Sequence, residues 1–533
     1  MKHRSYSTLA ATAGLALVLS ACSSGGTSSG SGGGEPLTDG TFRYALQGDP
    51  GALNPIMSGS AATAEISKLA YDSLVYQDPE TSEFKPWLAE KWEETPTSAS
   101  FTIREGVTCT DGSTLTAQTV ANNINFVADP AKGSQQRGTT VPIGASATAD
   151  LATRTITVTT PAPTPFLLLT ISRLPIMCDA GLEDPTASNN KSLGSGMFEV
   201  TEVSANDHYT FERRDGYSWG PDDTTSDTPG VPKTVIAVMA PNVSTAANQL
   251  LSGELSASPI AGPDKDRIDA ANFDSVQRPL PAGQMYFNQI ADNPTSDPAV
   301  RKALVQAVNL DDLAEVITGG QGTRATSLVS VEPRACVYDS VAGNIPDFDL
   351  SAAKATLDAA GWTAGSDGKR SKDGKPLALR LFYAAGEDAR SAAAELTQSA
   401  WSDLGATVEV TGADQTKVVD VMLSGKDNNQ WDIAWIQINN SVPSGFVPFF
   451  SGPAPAAGKN FSSINNPAYE AAVAKASGLT GDAACAEWAD AESQITKTVS
   501  AVPFADTVLS FYFNKAGLAF GKTFIGSALR LYQ

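Results

Sequence analysis

A chain of 533 residues is long enough to bury several cores, and a hydrophobic fraction of 41% with 18% charged residues excludes wholesale disorder. A formal net charge of −21 excludes a nucleic-acid backbone as partner, since that needs clustered Lys and Arg. The two histidines, His3 and His208, exclude multi-histidine metal centres, and no cofactor motif is present.

The N-terminus carries the first clear signal. Lys2 and Arg4 precede an apolar run of 11 residues, Leu9 to Leu19. A bilayer span takes about 20 such residues, so residues 1–21 read as a secretory signal peptide. The sequence Leu19-Ser20-Ala21-Cys22 resembles a bacterial lipobox, which makes Cys22 the lipidated first residue of the mature chain. Residues 22–34 continue in Ser, Gly and Thr, a tether reaching about 20 Å. The folded part then begins near Glu35, anchored to the cell membrane on its extracytoplasmic side. With Cys22 lipidated, Cys109, Cys178, Cys336 and Cys485 remain, an even number that allows three pairings in an oxidising compartment. None lies in a C-x-x-C spacing, so zinc and thioredoxin-like chemistry are unsupported.

Up to about Thr234 the texture is short strands and turns. Phe101–Arg104, Arg154–Val158 and His208–Phe211 alternate with period two, the pattern of antiparallel sheet with one face buried. His208 is read as a strand surface residue. A helix spans Ser244–Ser252 and is closed by Gly253. From about Met285 strands alternate with helices. Asp297-Pro298 gives an N-cap and Pro at the first helical position, with Val300, Ala303, Leu304, Ala307 and Val308 on one face. A second helix ends at Gly319-Gly320, and another runs from Ser351 to Ala360. Strands at Leu377–Tyr383, Thr407–Val410 and Trp431–Ile438 then alternate with helices at Glu387–Leu404 and Thr416–Leu423. This is βαβ texture with a parallel sheet. Ligands in such sheets bind beyond the carboxyl ends of the strands, here Ala384–Asp388, Gly412–Asp414 and Asn439–Ser444.

Catalytic motifs fail on context. The G-x-S-x-G match Gly26–Gly30 lies in the tether, whereas a nucleophile elbow needs a strand before and a helix after it. Ser351-Ala352-Ala353-Lys354 matches S-x-x-K, but its companion motifs are missing. Gly320–Ala325 follows a helix rather than a strand, against a dinucleotide site.

Several segments carry a resemblance. Leu53-Asn54-Pro55, Ala70-Tyr71-Asp72-Ser73-Leu74-Val75 and Pro86-Trp87-Leu88-Ala89-Glu90-Lys91-Trp92 come first. Phe101–Val107 follows with Asp111-Gly112 and Leu115-Thr116-Ala117. Leu193-Gly194-Ser195-Gly196-Met197-Phe198, Asp297–Leu304 and Asp349–Lys354 complete the series. In this order they resemble the extracellular solute-binding proteins of family 5, the dipeptide and oligopeptide receptors of ABC importers. The departures are Gln118-Thr119, where the family often has an acid, and Met197 in place of Pro.

The resemblance implies a two-lobed α/β fold, periplasmic-binding-protein-like (class II, cluster C type), with an extra β-rich subdomain at about 78–190. Lobe 1 is then 35–282 with a return at 500–533, and lobe 2 is 283–499. The crossings near Pro281–Asn288 and Val499–Asp506 form the hinge. That partition favours the pairings Cys109–Cys178 and Cys336–Cys485, one in each lobe. It implies a monomeric, non-catalytic receptor that delivers a small solute, foremost a peptide, to ABC permease subunits. Oligosaccharides, opines or metal chelates are alternatives, and a serine hydrolase using His208 is a remote one. Ligand contacts fall by analogy on Ser58, Gly59 and Ser60 of lobe 1. In lobe 2 they fall on Trp435, Ile436, Gln437, Ile438, Asn439 and Asn440. Ile438 stands where oligopeptide receptors carry the Asp that binds a peptide's ammonium, so a charge-assisted anchor is missing.

Overall fold

The computed structural model describes residues 34–533 apart from Thr38, Pro241, Pro263, 386–387, 424–429, Ala456 and Gly521. The signal segment, Cys22 and all of the tether but Gly34 lie outside the described residues. Among the described residues no helix is long and apolar enough to cross a membrane.

One ten-stranded sheet runs through the molecule. Its strands are β1 (Thr41–Leu46), β2 (Phe198–Ser204), β3 (His208–Arg213), β4 (Thr234–Met239) and β5 (Ala257–Ile260). The others are β6 (Asp274–Phe287), β7 (Ala378–Ala384), β8 (Thr407–Ala413), β9 (Ile433–Trp435) and β10 (Ala501–Phe513). Their order is β8-β7-β9-β6-β10-β5-β1-β4-β3-β2. β7 pairs in parallel with β8 and β9, as the βαβ texture predicts. β1 pairs in parallel with β4 and β5, while β2, β3 and β4 pair antiparallel.

The long strands β6 and β10 sit at the centre. They pair antiparallel from Asp274 opposite Phe513 to Tyr286 opposite Ala501, and the register breaks between Pro281 and Gln284. Pro281 supplies no N–H to a ladder, so an irregularity there is the favoured arrangement. Two buried clusters draw on residues 42–276 and 511–531. The other two draw on residues 282–505, plus Phe166. A separate four-stranded sheet, from Ala89–Thr95, Ser98–Ile103, Ser146–Asp150 and Thr155–Thr159, lies against the first set.

Local signals account for most elements. Asp297 caps the helix α3 (Pro298–Gln306), whose Val300, Ala303 and Leu304 are fully buried, and α4 (Leu310–Thr318), α5 (Asp388–Leu404) and α6 (Gly481–Lys497) follow it. Gly253 closes the helix Val243–Ser252 at φ 78°. The helices that escaped the periodicity reading include α1 (Ala61–Ala70), α2 (Ala117–Ala128), Pro467–Ala476 and Gly481–Lys497. α2 contains three asparagines, Asn122, Asn123 and Asn125, which are poor helix formers. It forms because Thr116 and Thr119 make a reciprocal cap and because Val120, Ile124 and Val127 are buried. The expected strand Trp431–Ile438 shrinks to β9. Its Asp432 instead accepts from the backbone N, Nε and Nη2 of Arg380 at 2.8, 2.8 and 3.0 Å.

The glycines of Leu193-Gly194-Ser195-Gly196 have a steric reason. A Cβ on Gly196 would lie 2.3 Å from the carbonyl carbon of Ala70, and one on Gly194 would lie 2.4 Å from its oxygen. The segment passes this close to the end of α1 because both positions lack a side chain. The two disulfides are Cys109–Cys178 and Cys336–Cys485.

A cavity beside helix α1 as candidate functional site

A cavity of about 340 Å³ lies beside α1, at the small end of ligand pockets. One wall is the α1 face that carries Ala64, Ser67 and Lys68. Tyr71, Tyr76 and Trp87 give it an aromatic lining, Thr523 and Ile525 contribute from the C-terminal segment, and Pro333 closes the far side.

The aromatic wall is held from behind. Trp87 Nε1 donates to Tyr217 Oη at 3.2 Å, and Tyr217 donates to Asp72 Oδ1 at 3.2 Å. Trp219 Nε1 and Ser195 Oγ donate to Asp72 Oδ2 at 2.8 and 3.0 Å. Burial pushes the Asp72 carboxyl up to about 6, against the pull of those three donors.

Arg173 ties the two sides together. Its Nη1 donates to Ser441 Oγ at 2.7 Å, and its Nη2 donates to Pro333 O at 3.0 Å and Gln77 Oε1 at 3.4 Å. Gln77 Nε2 in turn donates to Arg334 O at 3.4 Å. The segment 328–340, which supplies Pro333, is fixed to the helix α6 (Gly481–Lys497). Glu492 of α6 accepts from Leu328 N, Tyr338 Oη and Ser340 Oγ at 2.7, 2.8 and 2.6 Å, and Cys485 is bonded to Cys336.

The buried acids set a pH dependence. Burial pushes Asp72 and Asp506 up to about 6 and raises Glu492. Each binds its proton more tightly folded than unfolded; the contributions of Asp72 and Asp506 to stability are full below about pH 4 and lost as the pH rises through about 6, and Glu492 acts in the same sense. Carboxyls held low by hydrogen bonds, such as Asp49 and Asp111, act in the opposite sense only in more acidic solution. Calorimetry is therefore expected to give a higher melting temperature at pH 5.5 than at pH 7.5. A melting temperature lower at pH 5.5 than at pH 7.5 would show that the donors around Asp72 outweigh its burial.

The structure places the sequence-derived contacts elsewhere. Ser60 caps α1 by accepting from Thr63 N, and Ser58 donates to Thr63 Oγ1 at 3.0 Å. Gly59 lies beside Gln135. None of the three lines the cavity, although α1, which they begin, does. Trp435 is 3% exposed and packs on Phe504 and Tyr383, so it is a core residue rather than a cleft wall. Gln437 donates to Ala282 O at 2.9 Å and Ile438 N donates to Gln284 Oε1 at 2.8 Å. The chain turns back toward β6 there, and Ile436 and Ile438 pack into the second core of residues 282–505. Asn439 is exposed and Asn440 lies against Gly445. Asp414 accepts from Lys417 N at 2.9 Å and does not line the cavity. His208 faces Asp207 at 2.9 Å and Glu202 at 3.4 Å, so both ring nitrogens face acids rather than a serine.

Comparison with known proteins supplies the family. The model of the bacterial extracellular solute-binding proteins, family 5 Middle, matches residues 83–457. Protein XP55 of Streptomyces lividans is 30% identical over 379 residues, covering 68% of this chain and 65% of that protein. The dipeptide-binding protein of Escherichia coli K12 is 25% identical over 455 residues, covering 79% of this chain and 81% of that one. A substrate binding protein from Microbacterium hydrocarbonoxydans, solved with 4-hydroxybenzoate hydrazide, superposes with a TM-score of 0.65 at 25% identity. That superposition covers 92% of this chain and 99% of the other. This chain belongs to the bacterial extracellular solute-binding proteins of family 5.

Proposed function

We propose that the protein is the solute-capturing lipoprotein of an ABC importer, enclosing one small solute between two lobes and presenting it to a permease. Lobe 1 is 35–282 with 500–533, and lobe 2 is 283–499. The lobes close about the paired segments 281–288 and 499–506. The observation that carries this reading is the cavity of about 340 Å³, walled by α1 on one side and by Pro333 on the other. A ligand that touches both walls favours the closed arrangement by the difference between its affinities for closed and open forms. The relatives' own solutes, a dipeptide and an aromatic hydrazide, are of a size to suit such a space.

Titration calorimetry against di- and tripeptides, oligosaccharides and metal chelates tests this, with small-angle scattering of the saturated complex. One solute per chain and a more compact particle are expected. Failure of every class to bind or compact the chain would overturn it. Among the described residues no carboxylate lines the cavity to meet a peptide ammonium, which favours a non-peptide solute or a peptide held through its backbone. Acetylating the N-terminus of a bound peptide is therefore expected to cost less than tenfold in affinity, about 1.4 kcal/mol. A hundredfold loss would reveal an acidic anchor. Membrane attachment is assigned to Cys22, so Cys22→Ser is expected to abolish lipid labelling and leave the fold intact.

A further inference from the structure

Both charged residues that line the cavity, Lys68 and Arg173, are cations. Lys68 keeps accessible surface although protein surrounds it, the combination that an internal cavity produces. Its place in the last turn of α1 suits the helix dipole. That does not account for an ammonium that lines the cavity with no ion pair among the described residues. Glu65, three residues earlier, forms no ion pair there either. Arg173 meets only neutral acceptors, Ser441 Oγ, Gln77 Oε1 and Pro333 O. The acids near the cleft are engaged outside the lining. Glu332 faces Lys522 at 3.8 Å, and Asp506 feels Ser330 and Arg334.

Two cations beside one cavity with no directly paired acid are unfavourable. Burial, reinforced by the charges of Arg278 and Arg173 and only partly offset by Glu65, holds the Lys68 ammonium down at about 8. Tyr76, 3% exposed, has its hydroxyl beside Thr523 but without a hydrogen bond of good geometry. The rest of the lining is mixed: Trp87, Leu169 and Ile525 are apolar, while Ser67, Gln77, Gln136 and Thr140 are neutral and polar.

We infer that the captured solute carries a carboxylate, held between Lys68 and Arg173, on a small apolar body that packs against Tyr71, Tyr76 and Trp87. This deepens the solute-capture reading and rests on it. The carboxylate has two sources, a simple organic acid or the C-terminus of a short peptide, and one lining serves both.

Calorimetry with phenylacetate and phenylacetamide, and with Ala-Ala-Phe bearing a free or amidated C-terminus, separates them. The acid is expected to bind at least tenfold more tightly than its amide in the pair that fits. Lys68→Met is expected to remove that preference with no fall in melting temperature, and Lys68→Arg to keep it. Binding of phenylacetate without the peptide assigns a simple acid, and the reverse assigns a peptide C-terminus. Equal affinity of acid and amide, or a preference that survives Lys68→Met, would overturn the inference and leave solute capture standing. Failure of all four probes while neutral or cationic solutes bind would overturn it in the same way. Failure of every solute of any charge would overturn both.

Discussion

Replacing Cys336 and Cys485 together with serine is expected to destabilise the protein and to weaken solute capture at the same time. The bond closes a loop with a sequence separation of 149. In the chain-entropy description such a closure contributes about 4–5 kcal/mol, an upper figure. The functional half of the effect comes from position. Cys336 lies three residues after Pro333, and Ala335 N donates to Ser441 O at 2.8 Å, beside the hydroxyl that accepts from Arg173. Freeing this stretch loosens the Pro333 wall and the groups that hold Arg173. Cys109–Cys178 closes a separation of 69 but lines no part of the cavity. Its double serine variant is expected to lose comparable stability with little change in affinity at temperatures where it remains folded. Denaturation midpoints and calorimetric affinities of both variants make the comparison. Equal affinity losses would mean that the Cys336 bond does not position the wall.

The second large effect is expected at Glu492. Its carboxylate is fully enclosed and accepts from one backbone N–H and two hydroxyls, all from the segment that bears Pro333. Thr496, one turn later on α6, donates to Ser340 O at 2.6 Å and extends the same contact. Glu492→Ala leaves three enclosed donors without an acceptor, a loss of about 3–5 kcal/mol. Glu492→Gln keeps one acceptor oxygen and is expected to lose distinctly less. Urea denaturation of the two variants measures this. An Ala variant within 1 kcal/mol of the parent, on the order of a single surface change, would remove Glu492 as the anchor of this segment.

Much of the second half of the chain was legible from periodicity and caps. The expected helix Glu387–Leu404 is observed as α5 (Asp388–Leu404), and the strand Thr407–Val410 extends to Ala413 as β8. In the first half α1 left little trace, because its apolar stripe rests on Ile66 and Leu69 among small residues. The cavity was harder still. Lys68 in a short helix and Arg173 after a Leu-rich run look like ordinary solvated cations. Arg173 becomes a site residue through Ser441 and Pro333, which lie 268 and 160 positions away. No local pattern encodes such a meeting. The segment after β9 misled for the opposite reason. It carries the polar residues a binding loop should have, but Gln437 and the Ile438 amide turn toward β6 to satisfy backbone and side-chain acceptors there.

Solute capture is tested most directly by native mass spectrometry of the protein purified from its own host without denaturant. The account predicts a second species heavier by one small molecule, which collapses to the bare chain on unfolding. A bare chain alone, both as purified and after incubation with spent growth medium, would contradict it.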